Sequence, residues 1–411
     1  MKIRKGTLIA IFAIFQLCST FAQSITGFSI LKERNKLPHF SQMLKRGGPV
    51  TIAYFGGSIT EAAGYRVKTE QYFKSAYPEC SFTAINAGVG GTGASLGAFR
   101  LAEEVLAHKP DLVFVEFAVN DAASDSLLVG NSMEGIVRQI KKQNANTDIC
   151  FLYTIHEPMT ESYTKGELYR SIRFMEVVAD HYKLPSINLG PDIMSAIQEG
   201  KLVFHGKKED DPAKVFTYDG THPTDIGHDY YTNTIITAFG KLQGGKPSRS
   251  IPKPLYAGNF ESTHLISPAM LSGAKQWKRP GTEPYLKGFE KAYPELIYTT
   301  GTQDSVTIRF SGTYIGFCDI IGPSAAPAVL VTIDGKEETR PRFDSYGYFY
   351  RRSYCLIGPL ADGAHTVTFK KAPLRVDKRK MVGPHETKYP DDYNEDRFFL
   401  GKVMVIGKLD K

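Results

Sequence analysis

A serine, a histidine and an aspartate in this sequence have side chains that together could carry out acyl transfer. Ser58 follows two glycines at the end of the stretch TIAYFGGSIT, and His222 stands three residues after Asp219 in DGTHP. A serine hydroxyl becomes a nucleophile when a histidine accepts its proton, and a carboxylate can hold that histidine in the required tautomer. We therefore predict Ser58 as the nucleophile, His222 as its base and Asp219 as the partner of His222.

Hydrogen-bond donors for a developing oxyanion can be proposed from the same set of segments. Such a site needs N–H groups directed at the oxygen on which negative charge develops. The backbone N–H of Ser58, a glycine N–H near Gly91 in NAGVGGTGA and the side chain of Asn120 in AVND could supply them. Glycine suits this role because no side chain obstructs its N–H.

The two glycines before Ser58 also have an alternative interpretation, a phosphate-binding loop. Gly-Gly directly after an apolar stretch marks a sharp turn whose backbone comes close to another group, such as a phosphate, a neighbouring helix or a substrate carbonyl. The segment around Gly56 and Gly57 lacks both Gly-x-Gly-x-x-Gly and Gly-Lys-Ser/Thr, the patterns by which such loops are identified. The sequence therefore favours a nucleophile turn over a nucleotide site.

A parallel sheet is the element that would bring these candidates together. Between about residues 49 and 240, short apolar stretches alternate with amphipathic ones, which predicts βαβ units with helices on both faces of the sheet. The predicted strands are residues 50–55, 81–86, 111–117, 148–155 and 185–189. Ligands bind at the carboxyl ends of such strands, and the candidate residues follow those ends.

The four segments together resemble a known family. GGSIT, NAGVGGTG, AVND and DGTHP are similar, in order and spacing, to the four blocks of the SGNH/GDSL hydrolases, over about residues 40–240. The resemblance implies a flavodoxin-like three-layer α/β/α fold with strand order 2-1-3-4-5. It also assigns functional roles to Ser58, Gly91, Asn120 and His222, with Asp219 as the histidine's partner. One position differs, since the first block usually reads Gly-Asp-Ser and Gly57 replaces the aspartate.

Further residues near these segments are weaker candidates for substrate contact. His156 follows the fourth predicted strand at the same edge of the sheet, where it could contact substrate or have a structural role. Glu61 and Arg66 follow the nucleophile and could contact substrate, pair with each other or cap the next helix. Acyl transfer by this set of residues needs no metal and no organic cofactor.

The pattern changes after QGGKPSRSIPKP, residues 243–254, which reads as a Gly/Pro/Ser-rich linker. Apolar and polar residues alternate at 306–310 and 329–333, and Asp334-Gly335 and Asp362-Gly363 stand where hairpin turns would fall. These features predict a catalytic domain over residues 23–242 and an antiparallel, jelly-roll-like β-sandwich over 255–411.

Tyrosines in the segment DSYGYFYRRSY of the second domain are predicted to share one face of a strand. Tyr346, Tyr348 and Tyr350 occupy alternate positions, and alternate residues of a strand point to the same side. Because tyrosine is amphipathic, we expect this face to be directed at the catalytic domain or at a ligand rather than into a dry core.

The N-terminal residues predict export. Lys2, Arg4 and Lys5 precede an apolar stretch, and residues 20–22 offer a cleavage site, so residues 1–22 are predicted to be a signal peptide. An apolar stretch of about 12 residues is too short to span a bilayer. The protein would then be periplasmic or extracellular. A formal charge of +7 without a basic cluster interleaved with aromatic residues argues against nucleic acid as a partner.

The resemblance also implies a substrate class and a constraint on the cysteines. An exported SGNH enzyme with an appended β-sandwich is similar to bacterial carbohydrate esterases that remove O-acetyl groups from polysaccharides. A lipid or other acyl-ester hydrolase, or a glycan-binding protein with an inactive hydrolase domain, are the alternatives. The implied strand order would place Cys80 and Cys150 about 14 Å apart, too far for a disulfide, which tolerates about 7 Å between Cα atoms.

Overall fold

The computed structural model of the protein describes residues 29–247 and 250–410, so the predicted signal peptide lies outside the described residues. The strands of the first domain are β1 (Leu31–Lys32), β2 (Gly48–Gly56), β3 (Cys80–Gly88), β4 (Leu112–Glu116), β5 (Asp148–Tyr153), β6 (Ser186–Asn188), β7 (Val203–His205) and β8 (Val215–Thr217). Its helices are α1 (Pro38–Arg46), α2 (Ser58–Glu61), α3 (Tyr65–Ala76), α4 (Ala94–Glu104), α5 (Ser126–Gln143), α6 (Thr160–Thr164), α7 (Arg170–Tyr182), α8 (Gly190–Gln198) and α9 (Asp225–Leu242).

A six-stranded sheet in the order β1-β6-β5-β4-β2-β3 forms the centre of this domain. Strand β1 is antiparallel to β6, and the other neighbours are parallel. The five predicted strands therefore occur in the predicted flavodoxin-like order, and β1 is an additional edge strand. Strands β4 and β5 are buried along their whole length, as expected for parallel strands covered on both faces.

Helices cover both faces of this sheet. Neighbouring residues of a strand point to opposite faces, and on β2 the ring of Tyr54 contacts Tyr65 of α3 whereas Phe55 lies under Arg100 of α4. Helices α3 and α8 pack on α9, and α4 and α7 pack on α5. The predicted three-layer architecture is confirmed.

The second domain is an antiparallel β domain. Its strands are β9 (Thr263–Ile266), β10 (Ile297–Thr299), β11 (Ser305–Ile321), β12 (Ala328–Ile333), β13 (Lys336–Pro341), β14 (Arg351–Ile357), β15 (Gly363–Lys371), β16 (Phe398–Leu400) and β17 (Lys402–Leu409), with one short helix, α10 (Lys378–Val382). Strands β13-β12-β15-β11-β17-β9 form the large sheet, in which β14 also pairs with β11. Strands β10 and β16 form a small sheet whose Phe398 packs on Phe317 of β11, with ring centroids 5.2 Å apart.

Of the two predicted hairpin turns, one is confirmed. Asp334 and Gly335 join β12 to β13 with positive φ values of 50° and 84°, and Ile333 pairs with Lys336, as in a two-residue turn. The prediction for Asp362-Gly363 is wrong. Strands β14 and β15 both pair with β11 rather than with each other, so the segment between them crosses from one half of that long strand to the other.

The two domains share part of their hydrophobic core. The ring of Phe260 contacts Phe99 of α4 and Tyr314 of β11, with centroids 6.0 and 5.0 Å apart. At Gly135 of α5 a side chain would lie 2.4 Å from the backbone of Phe260, so α5 needs glycine there for this contact. The connecting segment also follows α5, because Leu255 N–H donates to the buried Glu134.

Two further features of the described residues bear on the sequence analysis. No helix among them is long and apolar enough to cross a membrane. Cys80 begins β3 and Cys150 lies in β5, with two strands between them, and all four cysteines of the described residues are free.

Candidate active site

The turn that carries Ser58 is compact because glycines precede it. Strand β2 ends at Gly56, Gly57 caps the N-terminus of α2, and Ser58 is the first residue of that helix. A side chain at Gly56 would lie 2.5 Å from the carbonyl oxygen of Glu116, and one at Gly57 would lie 1.9 Å from Oδ1 of Asn120. The two glycines therefore allow the neighbouring strand and Asn120 to approach the turn that carries Ser58.

Ser58, His222 and Asp219 form a continuous hydrogen-bonded chain. Ser58 Oγ lies 2.8 Å from His222 Nε2, and His222 Nδ1 lies 2.6 Å from Asp219 Oδ2. The second oxygen of Asp219 accepts the backbone N–H groups of Thr221 and His222 and the hydroxyl of Thr217. Although burial opposes ionisation, hydrogen bonds from His222 and Thr221 lower the pKa of Asp219 to about 2. The carboxylate is thus ionised at neutral pH and held in one orientation.

Three residues with N–H groups that could donate to a bound oxygen line the cleft that contains the Ser58 hydroxyl. The N–H of Ser58 is at the start of α2, where helical N–H groups have no partner within the helix. The backbone N–H of Gly91, which has φ of +70°, and the Asn120 side chain make no hydrogen bond within the part of the chain that the structure describes. All three residues line one cleft. These donors are therefore available to an oxygen bound beside Ser58 Oγ.

A buried carboxylate that the sequence analysis missed supports the turn that carries Ser58. Glu116, the last residue of β4, is fully buried and accepts hydrogen bonds from the hydroxyls of Thr60 and Thr154, at 2.9 and 2.6 Å, and from the N–H of Gly57. Burial raises the pKa of Glu116, and those hydrogen bonds act in the opposite direction. The local signal was a single charged residue inside the apolar stretch LVFVEF, although its partners lie far away in sequence.

A second buried carboxylate, Asp121, supports the glycine segment. It accepts the N–H of Ala94 at the start of α4, and burial raises its pKa to about 7. A side chain at Gly93 would lie 2.0 Å from Asp121 Oδ1. The Asp of AVND thus anchors the helix that follows the glycine segment.

The weaker candidates have different positions. His156 lines the cleft, its Nε2 is buried without a hydrogen-bond partner in the described residues, and burial lowers its pKa. Glu61 also lines the cleft, where its carboxylate accepts the N–H of Gly90 at 2.9 Å. Arg66 is outside the cleft lining and donates to the carbonyl oxygen of Thr60 at 3.3 Å. Arg66 therefore stabilises α2 through this hydrogen bond and does not line the cleft.

The second domain forms the opposite wall of the cleft, whose volume is about 1080 Å³. Tyr346 and Phe349 are large side chains left 60% and 43% exposed there, and the ring of Tyr348 stacks on His385 with centroids 4.5 Å apart. The residues that this domain contributes are Gly288, Phe289, Asp344, Ser345, Tyr346, Tyr348, Phe349, Tyr350, Arg351, Arg352 and His385.

The predicted strand over the tyrosines is wrong, although the tyrosines do line the cleft. Strand β14 begins only at Arg351. Asp344 accepts the N–H of Tyr346 with its side chain, at 2.9 Å, and the N–H of Gly347 with its carbonyl oxygen, also at 2.9 Å. This turn, of a kind that aspartate favours, replaces the predicted strand. The alternation of tyrosines along the sequence therefore does not correspond to a strand face.

Comparison with known proteins shows what the domain that carries this site is similar to. Residues 54–230 match the model of the GDSL-like Lipase/Acylhydrolase family. A crystal structure of a two-domain esterase (CEX) active on acetylated mannans, co-crystallized with mannopentaose, superposes with a TM-score of 0.71 at 20% identity, covering 92% of this chain and 97% of that one. A structure of the same esterase described without mannopentaose superposes with a TM-score of 0.68 at 19% identity, covering 93% of this chain and 99% of that one.

These similarities confirm the two-domain architecture, and curated protein sequences give no match. The family match includes the segments that hold Ser58, Gly91, Asn120 and His222. Over residues 54–230 the α/β domain of this protein is similar to the GDSL-like lipase/acylhydrolase family, and the protein is a hydrolase.

Proposed function

We propose that this protein is an exported serine esterase that removes O-acetyl groups from a carbohydrate polymer. The observation that carries the proposal is the hydrogen-bonded chain from Ser58 through His222 to Asp219, with distances of 2.8 and 2.6 Å. Nucleophile and base within hydrogen-bond reach, with the base oriented by a third group, is the arrangement that acyl transfer uses.

The proposed reaction has two steps. Ser58 Oγ attacks the acetyl carbonyl carbon while His222 Nε2 accepts its proton, and the carbonyl oxygen becomes an oxyanion. The N–H groups of Ser58 and Gly91 and the Asn120 amide donate to that oxyanion. The ester C–O bond then breaks as His222 returns the proton to the sugar oxygen. In the second step a water molecule, activated by His222, hydrolyses the acetyl-enzyme and releases acetate.

Asp219 contributes by electrostatics and orientation. Its ionised carboxylate accepts from His222 Nδ1, which leaves Nε2 free to accept the serine proton. The same carboxylate stabilises the imidazolium that forms when that proton is transferred.

The shape and lining of the cleft support a carbohydrate substrate. Sugars present apolar faces that stack on aromatic side chains, and Tyr346 and Phe349 are exposed across the cleft from Ser58. The esterase similar in structure acts on acetylated mannans, which supports an acetylated polysaccharide. The predicted signal peptide would deliver the enzyme to the periplasm or the outside of the cell, where such polymers occur.

Acetate release from a panel of acetylated glycans tests this function. The panel should include acetylated mannan and xylan, together with p-nitrophenyl esters of increasing chain length. We expect release from at least one glycan and fastest hydrolysis of the acetate ester. A preference for long acyl chains would support a lipid esterase, and no hydrolysis of any ester would support a binding protein.

Two variants and a matched control assign the chemistry. Ser58→Ala and His222→Ala should each lower kcat by at least about 10³-fold. His264→Ala is the control, because His264 is exposed on β9 of the second domain and is not among the residues that line the cleft. It should retain the parent rate. Equal losses in His264→Ala and His222→Ala would contradict the assignment of His222 as the base.

A further inference from the structure

A buried arginine connects the two backbone segments that supply oxyanion donors. Arg100 of α4 is fully buried, and its guanidinium donates to the carbonyl oxygens of Ala87, at 2.7 Å, and Gly56, at 2.9 Å. Gly56 lies two residues before Ser58, and Ala87 lies four residues before Gly91. The positions of both backbone donors thus depend on carbonyls that one side chain holds.

Arg100 is itself held by an ion pair that continues into the second domain. Its NH1 lies 2.8 Å from Oε2 of Glu104, one turn along α4. The other carboxylate oxygen, Oε1, lies 2.6 Å from the guanidinium of Arg352 on β14. Arg352 is in turn positioned over the ring of Tyr293, 5.4 Å from its centroid. Glu104 therefore joins a β-domain arginine to the arginine beneath the catalytic turn.

The charge balance explains why Glu104 matters to Arg100. Burial lowers the pKa of Arg100 to about 10, and Glu104 opposes that shift, so the guanidinium is charged at neutral pH. A buried charge that loses its partner is costly. Without Glu104, Arg100 would gain by moving toward solvent, away from the two carbonyls.

We propose that Glu104 and Arg352 are positioning residues of the active site, which fix Arg100 and thereby the N–H donors of Ser58 and Gly91. The proposal rests on the serine-esterase function proposed above. It makes the β domain part of the catalytic framework as well as a wall of the cleft. Misplacement of a reacting group by about 1 Å can cost 10²-fold in rate, so even a small shift of these donors is measurable.

Neighbouring residues provide matched controls. Glu103 precedes Glu104 on α4 and forms its own ion pair across the domain boundary, with Lys402 of β17, but it does not contact Arg100. Glu104→Gln and Arg352→Met should lower kcat on p-nitrophenyl acetate about tenfold with little change in KM. Glu103→Gln and Lys402→Met should leave both constants unchanged. Arg352→Lys, which keeps the charge, should recover most of the lost rate.

The double variant and backbone exchange make the test decisive. Glu104→Gln with Arg352→Met should be no slower than the worse single variant, because both changes act through Arg100. Deuterium exchange at residues 56–60 and 87–93 should be faster in Glu104→Gln than in Glu103→Gln. Equal exchange and equal kcat in these two variants would overturn the proposal. Hydrolysis by the parent protein tests the esterase function separately, and exchange tests the positioning role whether or not an ester is hydrolysed.

Discussion

Replacing Gly57 by alanine should inactivate the enzyme through Asn120 rather than through backbone strain. Gly57 has φ of −91° and ψ of −151°, an extended conformation that is open to alanine. An added Cβ would lie 1.9 Å from Oδ1 and 2.6 Å from Cγ of Asn120. Non-bonded carbon atoms pack at about 3.5–4.0 Å, so the Asn120 side chain must leave its position.

The magnitude follows from the role proposed for Asn120. Removing one oxyanion donor costs about 10²–10³-fold in kcat, or roughly 2.7–4 kcal/mol of transition-state stabilisation. Because Gly57→Ala displaces the same side chain that Asn120→Ala removes, we expect a similar loss from each, with KM almost unchanged. The double variant should be no slower than the worse single variant.

Steady-state kinetics on p-nitrophenyl acetate, with melting temperatures, measure these effects. Gly240→Ala is the control, because Gly240 lies in α9 with no atom within 4 Å of its added Cβ, and it should retain full activity. If Gly57→Ala kept kcat within about threefold of the parent, the interpretation of Asn120 as an oxyanion donor held by close packing would be refuted. A large rise in KM alone would assign Asn120 to substrate binding.

Three other predictions concern stability and support of the site. Glu116→Gln should lower both the melting temperature and kcat, because the amide N–H₂ group would be a donor at a position where three donors converge. Urea unfolding should show a free energy of unfolding lower by about 1–3 kcal/mol, and an unchanged free energy would contradict this prediction. Burial lowers the pKa of His228 to about 4, and its Nδ1 accepts the N–H of Tyr65. Between pH 6.5 and 4 the unfolded chain therefore binds a proton that the folded chain does not, so the unfolding free energy falls by roughly 2 kcal/mol between pH 7 and 5. Between pH 7 and 5 the unfolding free energy of the parent should fall by that amount more than the unfolding free energy of His228→Gln. Parallel plots of unfolding free energy against pH for the two proteins would refute this prediction. A chain ending at Gly244 should be less stable and less active on polymer than the full chain, since α4 and α5 lose their contacts with Phe260; an unchanged melting temperature and turnover would contradict it.

The sequence was sufficient for the features that depend on local patterns. The strands of the parallel sheet follow from the apolar stretches, and the convergence of Ser58, Asn120 and His222 at one edge follows from their positions after those strands. The order of the strands came from the resemblance to the SGNH/GDSL hydrolases. Strand β1 could not be predicted, because it is two residues long and is defined by pairing with β6. The tyrosine strand was predicted wrongly because the side-chain and carbonyl acceptors of Asp344 favour a turn over the extended alternation.

The supporting residues could not be predicted, because each acts on partners far away in sequence. Arg100 appears in the sequence as one polar residue in an amphipathic helix, yet it bonds to carbonyls at the ends of two strands and pairs through Glu104 with Arg352. Only packing of α4 against the sheet and β14 creates those contacts. Long-range pairings of this kind leave no periodicity to detect.

The glycine at position 57 and the glutamate at position 116 are best understood together. The family's first block usually places an aspartate before the serine, and this chain has glycine there. A carboxylate is nevertheless present at the turn, since Glu116 reaches it from the neighbouring strand and accepts the N–H of Gly57. The space that a side chain at Gly57 would need is filled by Asn120. The support for the turn that carries Ser58 thus comes from the sheet beneath it, and glycine at 57 is what allows Asn120 to lie directly against the turn.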